Sequence, residues 1–70
     1  MCMKTRNEIK KDLESRMRMY YNQLELLLSH KMNEEDNEYA DRLAEGYECI
    51  AGFYANMGFD LEAFEGRLQS

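Results

Sequence analysis

Proline, valine and tryptophan are absent from this chain, and no glycine precedes position 46. Proline and interior glycine disfavour helices, whereas residues branched at Cβ, such as valine, favour strands. The remaining composition is rich in Glu, Leu, Met, Lys, Arg and Ala, which are good helix formers. These absences disfavour a sheet and predict an all-α protein.

Cysteine and long apolar runs are also scarce. Two cysteines far apart, Cys2 and Cys49, suit a reducing compartment better than a disulfide framework. Residues 26–28 form an apolar run of only three leucines, whereas a membrane helix needs about 20 apolar residues. Residues 1–11 carry charges where a signal peptide needs an apolar core. We therefore expect a cytoplasmic protein with no membrane contact.

Size and charge narrow the choice of partners. A chain of 70 residues is predicted to form one domain over residues 1–70, near the size at which a core needs help from a partner, metal or disulfide. Residues 1–31 carry seven basic and four acidic side chains, whereas residues 32–70 carry two basic and ten acidic ones. Because the net charge is −5, the overall field does not attract nucleic acid, and only the N-terminal part offers bases for such contact.

Apolar side chains recur at intervals of three or four over about residues 5–31, which predicts a first helix with one apolar face. This face comprises Ile9, Leu13, Met17, Tyr20, Leu24 and Leu27. Thr5 and Glu8 fit a capping box at its start. His30 and Lys31 are expected in its last turn, where positive charge suits the helix dipole.

The same spacing continues over about residues 34–57, behind a predicted N-cap at Asn33. The apolar face of this second helix comprises Tyr39, Leu43, Tyr47, Ile50, Tyr54 and Met57. Gly58 is predicted to end the second helix. Asp60 is predicted to cap a third helix over about residues 61–68. Because a very short turn joins two equal apolar faces, we predict an antiparallel helical hairpin plus a short C-terminal third helix.

Some apolar residues fall outside the predicted hairpin contact. At about 100° per residue, Met19 and Leu26 lie on one flank of the first helix. Tyr21 and Leu28 lie on the other flank. The third helix spans about 12 Å and cannot reach the turn of Leu26, which is about 25 Å away. Hiding about 250 Å² of this surface would contribute roughly 6 kcal/mol at about 25 cal/mol/Å².

We therefore predict a homodimeric helical bundle, in which the third helix of each chain covers the exposed flank of the other. The predicted self-association residues are Met19, Tyr21, Leu26, Leu28, Phe59, Phe64 and Leu68. Docking of a different protein and scattered surface side chains are the alternatives. A row of small residues on the second helix would also permit close approach of another helix; it comprises Ala40, Ala44, Ala51 and Ala55, with Gly52 beside them.

Five carboxylates recur at intervals of three and four on the predicted outer face of the second helix. This acidic row comprises Glu34, Glu38, Asp41, Glu45 and Glu48. It suits a basic protein partner, or an inhibitor of the phage or mobile-element type that blocks a basic nucleic-acid-binding groove. A solvated helix face is the plain alternative.

Lys4, Lys11 and Arg18 follow one another at heptad spacing on the first helix. They suggest a small RNA- or DNA-associated bundle. However, Glu8 lies between the first two, Glu14 is expected to pair with Arg18, and no aromatic side chains interleave with the bases. Nucleic acid is therefore the least favoured partner.

Residues for chemistry are sparse. His30 is the only histidine and has no second metal ligand at helical spacing. The glycines are isolated, so no phosphate-binding loop is predicted, and Cys49 has no neighbouring base. We predict no catalytic, cofactor-binding or metal-binding residue. We interpret the chain as a non-enzymatic protein–protein interaction module, a small dimeric helical adaptor or regulator.

Overall fold

A computed structural model describes residues 4–69, which form three α-helices and no strand. These are α1 (Arg6–Leu28), α2 (Glu34–Asn56) and α3 (Leu61–Gln69). The first two helices pack against each other, and they run antiparallel because a five-residue connection joins them. The all-α prediction is confirmed, whereas the dimer stays a prediction. Cys2 lies outside the described residues.

Side chains at the starts of the helices satisfy backbone N–H groups that lack helical partners. The Thr5 hydroxyl accepts from the Glu8 N–H at 3.1 Å, and the Glu8 carboxylate accepts from the Thr5 N–H at 3.2 Å. Asn33 and Asp36 form the same reciprocal pair at the start of α2. Both predicted N-caps are therefore confirmed.

The end of α1 corrects one expectation. The helix stops at Leu28, and Ser29 caps it by donating its hydroxyl to the Leu26 carbonyl at 2.7 Å. The last turn therefore contains no base, and His30 and Lys31 belong to the connection. The serine hydroxyl satisfies one terminal carbonyl, and the positive charge expected in the last turn lies beyond the end of the helix.

The corner between α2 and α3 is built on glycine. Gly58 has φ +91°, a left-handed conformation that favours glycine. Its N–H donates to Ala55 O at 3.0 Å, and the Phe59 N–H donates to Tyr54 O at 3.4 Å. This pair of bonds defines a Schellman motif. Asp60 then accepts from the Ala63 N–H at 3.1 Å, so the predicted cap of α3 is confirmed.

α3 folds back onto its own hairpin. Phe64 is 0% exposed and packs in one cluster with Met17, Ala51 and Tyr54, with its ring 5.8 Å from the Tyr54 ring. Phe64 is therefore a residue of the chain's own core, which corrects its assignment to the self-association surface. The ring is buried against its own hairpin, because covering an aromatic side chain within the chain is stabilising without a partner.

A polar contact at the edge of the core joins the three helices. Glu14 of α1 accepts from the Tyr54 hydroxyl at 2.6 Å and from Arg67 of α3 at 3.2 Å. Its carboxylate also lies 3.8 Å from Lys10 Nζ. Burial, together with the hydrogen bond to Glu14, raises the pKa of Tyr54 to about 12. The expected Glu14–Arg18 pair is wrong, because Arg18 instead lies over the Phe64 ring at 5.6 Å.

Close helix contact occurs at a glycine outside the predicted small-residue row. A Cβ on Gly46 would lie 2.7 Å from Tyr20 Cζ, so the tyrosine ring of α1 packs directly on the α2 backbone. Gly52, by contrast, has nothing within 4 Å of its ideal Cβ.

Tyr39 is more exposed than its place on the predicted apolar face of α2 indicated. It is 47% exposed, and its hydroxyl donates to Gln23 at 2.9 Å.

Candidate interaction surfaces

The side of the hairpin that faces away from α3 is apolar and uncovered. Its centre is a groove of about 410 Å³ lined by Arg16, Met19, Tyr20, Gln23 and Ile50. Met19 is 61% exposed, and Phe53, one turn after Ile50 on α2, is 56% exposed. Leu26, two turns beyond Met19 on the same row of α1, is 69% exposed. We call this surface, from Met19 and Leu26 across to Ile50 and Phe53, the open face.

The predicted exposure of apolar side chains on the later part of α1 is confirmed for three residues. Met19, Leu26 and Leu28 are all more than half exposed. Tyr21 differs: it is half-buried, and it lines a cavity together with Leu68 of α3. α3 therefore reaches further along the hairpin than we predicted, but it leaves Leu28 uncovered.

A second uncovered surface continues beyond the end of α3. A cavity of about 260 Å³ lies there, lined by Tyr21, Leu24, Tyr47, Glu65, Leu68 and Gln69. Leu28 lies two turns past Tyr21 on α1, and Ala44 and Ala40 continue on α2 the row that begins at the buried Ala51. We call this cleft, from Tyr21 and Tyr47 toward the hairpin turn, the distal groove.

Phe59 has a structural role at the α2–α3 corner. It is half-buried, and its ring centroid lies 5.0 Å from that of Tyr54. The Arg6 guanidinium lies 4.4 Å from the Phe59 ring centroid and donates to Met57 O at 2.6 Å. Arg6 thus satisfies a carbonyl at the end of α2 and covers an aromatic ring, a combination of contacts that the sequence pattern did not indicate.

All five carboxylates of the acidic row are exposed. None of them forms an ion pair within the described part of the chain. The outward direction predicted for the row is therefore confirmed, while its role in binding stays a prediction. The row offers continuous negative potential along α2.

The three heptad-spaced bases of α1 do not form one open stripe. Lys4 is bound to Asp12 at 2.7 Å, and this contact lowers the pKa of the Asp12 carboxyl. Arg18 lies over Phe64. Only Lys11 lacks a described partner among residues 4–69. The arrangement offers little for a nucleic-acid backbone.

Phe53 is the main surface residue missing from our sequence prediction. Its place three residues after Ile50 put it at the edge of the apolar face of α2, where helical spacing alone does not separate buried side chains from exposed ones.

Within residues 4–69, no three His, Cys, Asp or Glu side chains are grouped to hold a metal ion. None of the three described helices is both long and apolar enough to cross a membrane.

Comparison of the chain with protein-family models, with curated protein sequences and with solved structures gave no match.

Proposed function

We propose that this protein is a non-enzymatic protein–protein interaction module that forms a homodimer through the open face and acts as an adaptor or regulator. The observation that carries this proposal is the exposure of Met19, Leu26 and Phe53 on the side of the hairpin that holds the groove of about 410 Å³. Exposed large apolar side chains in one patch are typical of interaction sites, because water contact at such a patch is unfavourable.

The dimensions of the open face suit a dimer. If the dimer buries the whole side of the hairpin that carries the open face, two helices of 23 residues, each about 35 Å long and 10 Å wide, present roughly 700 Å² per chain. A two-fold dimer would then bury about 1,400 Å² in total, within the range of stable interfaces. The charge distribution supports a two-fold arrangement in which α1 crosses α2 of the partner, because residues 1–31 are net basic and residues 32–70 strongly acidic.

The test is the mass in solution. Light scattering should give about twice 8.4 kDa for the natural chain. Met19→Asp and Phe53→Asp should give the single-chain mass, because both side chains are exposed in one chain and their replacement leaves its core intact. Ala63→Asp on the outer side of α3 adds the same charge as a control and should keep the dimer. A folded single-chain species at high concentration contradicts the proposal.

A second candidate function is supported by the acidic row. Five exposed carboxylates without ion-pair partners suit an inhibitor that occupies a basic nucleic-acid-binding groove. Reversing Asp41, Glu45 and Glu48 to Lys should abolish capture of such a partner by the immobilised protein, whereas Glu62→Lys on α3 should not. Undiminished capture by the triple variant would remove this candidate.

A further inference from the structure

The face of the hairpin that carries α3 is only partly covered. α3 has 9 residues and spans about 14 Å, whereas the helices beneath it span about 35 Å. Leu68 and Gln69 at its end border the cavity of about 260 Å³. The distal groove therefore begins where α3 ends and continues its path toward the hairpin turn.

Beyond the cavity, the walls of the distal groove are formed by apolar side chains of α1 and α2. On α1, Tyr21 and Leu28 lie two turns apart, and Leu28 is 66% exposed. On α2, Ala44 and Ala40 are half-buried, in the row that α3 covers at Ala51. Small side chains on one wall allow the backbone of a second helix to approach closely.

Acidic side chains border the distal groove on all three helices. Glu25 follows Tyr21 by one turn on α1, and the hydrogen bond between them raises the pKa of Tyr21. Asp41 and Glu48 are the helical neighbours of Ala44, three residues before it and four after it. Glu65 of α3 accepts from the Tyr47 hydroxyl at 2.8 Å.

His30 and Lys31 lie in the connection at the turn end of this groove, whereas the two bases near its α3 end make other contacts within the chain. Arg18 lies over the Phe64 ring, and Arg67 donates to Glu14. The C-terminal end of α3 adds the partial negative charge of its helix dipole at the groove entrance. An apolar floor with a negative rim is complementary to a positively charged amphipathic segment.

We propose that the distal groove binds a short amphipathic helix from a basic protein partner. The apolar side of that helix packs on Tyr21, Leu28 and Ala44, and its lysines or arginines lie against the acidic rim. A helix of about 12 residues, roughly 18 Å long, fills the length between the end of α3 and the hairpin turn. This inference rests on the proposed function as an interaction module, and it names the chemistry of the partner.

The test uses a fluorescein-labelled 12-residue peptide with leucines at helical spacing i, i+3, i+4 and i+7 and lysines elsewhere. Fluorescence anisotropy should show binding to the full chain that weakens as salt is raised. A peptide with glutamate in place of lysine should bind at least tenfold more weakly. A lysine peptide whose leucines are moved off helical spacing should also bind at least tenfold more weakly. Equal binding of either reference peptide overturns the proposal.

Two matched pairs of variants locate the site. Asp41→Lys with Glu48→Lys should weaken binding at least tenfold, whereas Glu38→Lys with Glu45→Lys should have little effect. Both pairs change the charge of α2 equally, but Asp41 and Glu48 lie one turn to either side of Ala44, whereas Glu38 and Glu45 lie further round the helix. An equal loss in the two pairs means that the peptide responds to net charge alone, and it overturns the proposal.

Two exposed leucines on opposite flanks of α1 provide the second pair. Leu28→Gln should weaken binding about fivefold or more, and Leu26→Gln should leave it unchanged. Both variants fold, because neither side chain belongs to the core. If Leu26→Gln weakens binding as much as Leu28→Gln does, the peptide is not in the distal groove and the proposal is wrong.

Light scattering on the same samples separates this inference from the proposed dimer. The open face lies on the other side of the hairpin, so the two proposals can fail separately. If the protein has the mass of a single chain and still binds the peptide at the distal groove, this inference stands and the dimer proposal is wrong. A dimer that does not bind the lysine peptide overturns this inference alone.

Discussion

Tyr54 is a buried side chain that combines ring packing with a hydrogen bond to a carboxylate. It is 0% exposed, its ring contacts those of Phe59 and Phe64, and its hydroxyl donates to Glu14. Arg67 binds the same carboxylate, so one acceptor serves side chains from two other helices. A buried phenol that donates to a carboxylate resists ionisation, because ionisation would bring two negative charges together.

This environment predicts a decline in stability at high pH. The folded pKa of Tyr54, about 12, exceeds its ordinary value of 10.0, so the unfolded chain loses this proton first. The stability that Tyr54 contributes is complete below pH 10.0 and is lost as pH rises through about 12. Urea unfolding should show a steeper loss over this interval for the natural chain than for Tyr54→Phe.

The control for this measurement is Tyr39→Phe, which removes an exposed phenol and should keep the slope of the natural chain. Identical slopes for the natural chain and Tyr54→Phe would contradict the prediction.

Among the elements, α2 contacts both of the others, and its two interior glycines differ in what surrounds them. Gly46 lies beneath the Tyr20 ring of α1, whereas Gly52 faces open space. The two residues have the same helical backbone, so their intrinsic cost to the helix is the same. What separates them is the packing of α1 on α2.

Alanine substitution at these two glycines should therefore have different effects. Gly52→Ala should stabilise the chain by about 1 kcal/mol, through helix propensity alone. At Gly46 the same gain is opposed by overpacking against Tyr20, which typically costs about 1–3 kcal/mol. Thermal or urea unfolding of the two variants measures the difference. Equal stabilisation of both would show that the Tyr20 ring moves aside without cost.

As a whole, the molecule is elongated and has a small core. Its Cα radius of gyration is 13.8 Å, whereas the radius of gyration expected for a globular chain of this length is about 11 Å. Among the described residues, the buried hydrophobic ones are Met17, Leu43, Ala51, Tyr54 and Phe64. Two long helices covered over less than half their length by α3 leave apolar surface on both faces of the hairpin.

If the dimer forms, stability should depend on protein concentration. Association stabilises the folded chain by mass action, so the melting temperature of the natural chain should rise with each tenfold increase in concentration. Met19→Asp and Phe53→Asp should melt at one temperature regardless of concentration. A melting temperature of the natural chain that does not change with concentration argues against the homodimer.

Much of the fold is local and follows from the sequence by itself. Helical spacing, the caps at Thr5, Asn33 and Asp60 and the glycine corner at Gly58 involve residues within a few positions of one another, so short-range sterics and hydrogen bonds decide them. The same periodicity placed the exposed flank of α1 and the outward direction of the acidic row.

Only the tertiary structure decided which apolar side chains are covered within the chain. Phe64 enters the core, Tyr21 is half-buried, and Phe53 is left on the surface. The path of α3 over the hairpin also separated the open face from the distal groove. These outcomes depend on how three helices pack, and residues far apart in sequence determine that packing, such as Gly46 beneath Tyr20 and Arg67 beside Glu14.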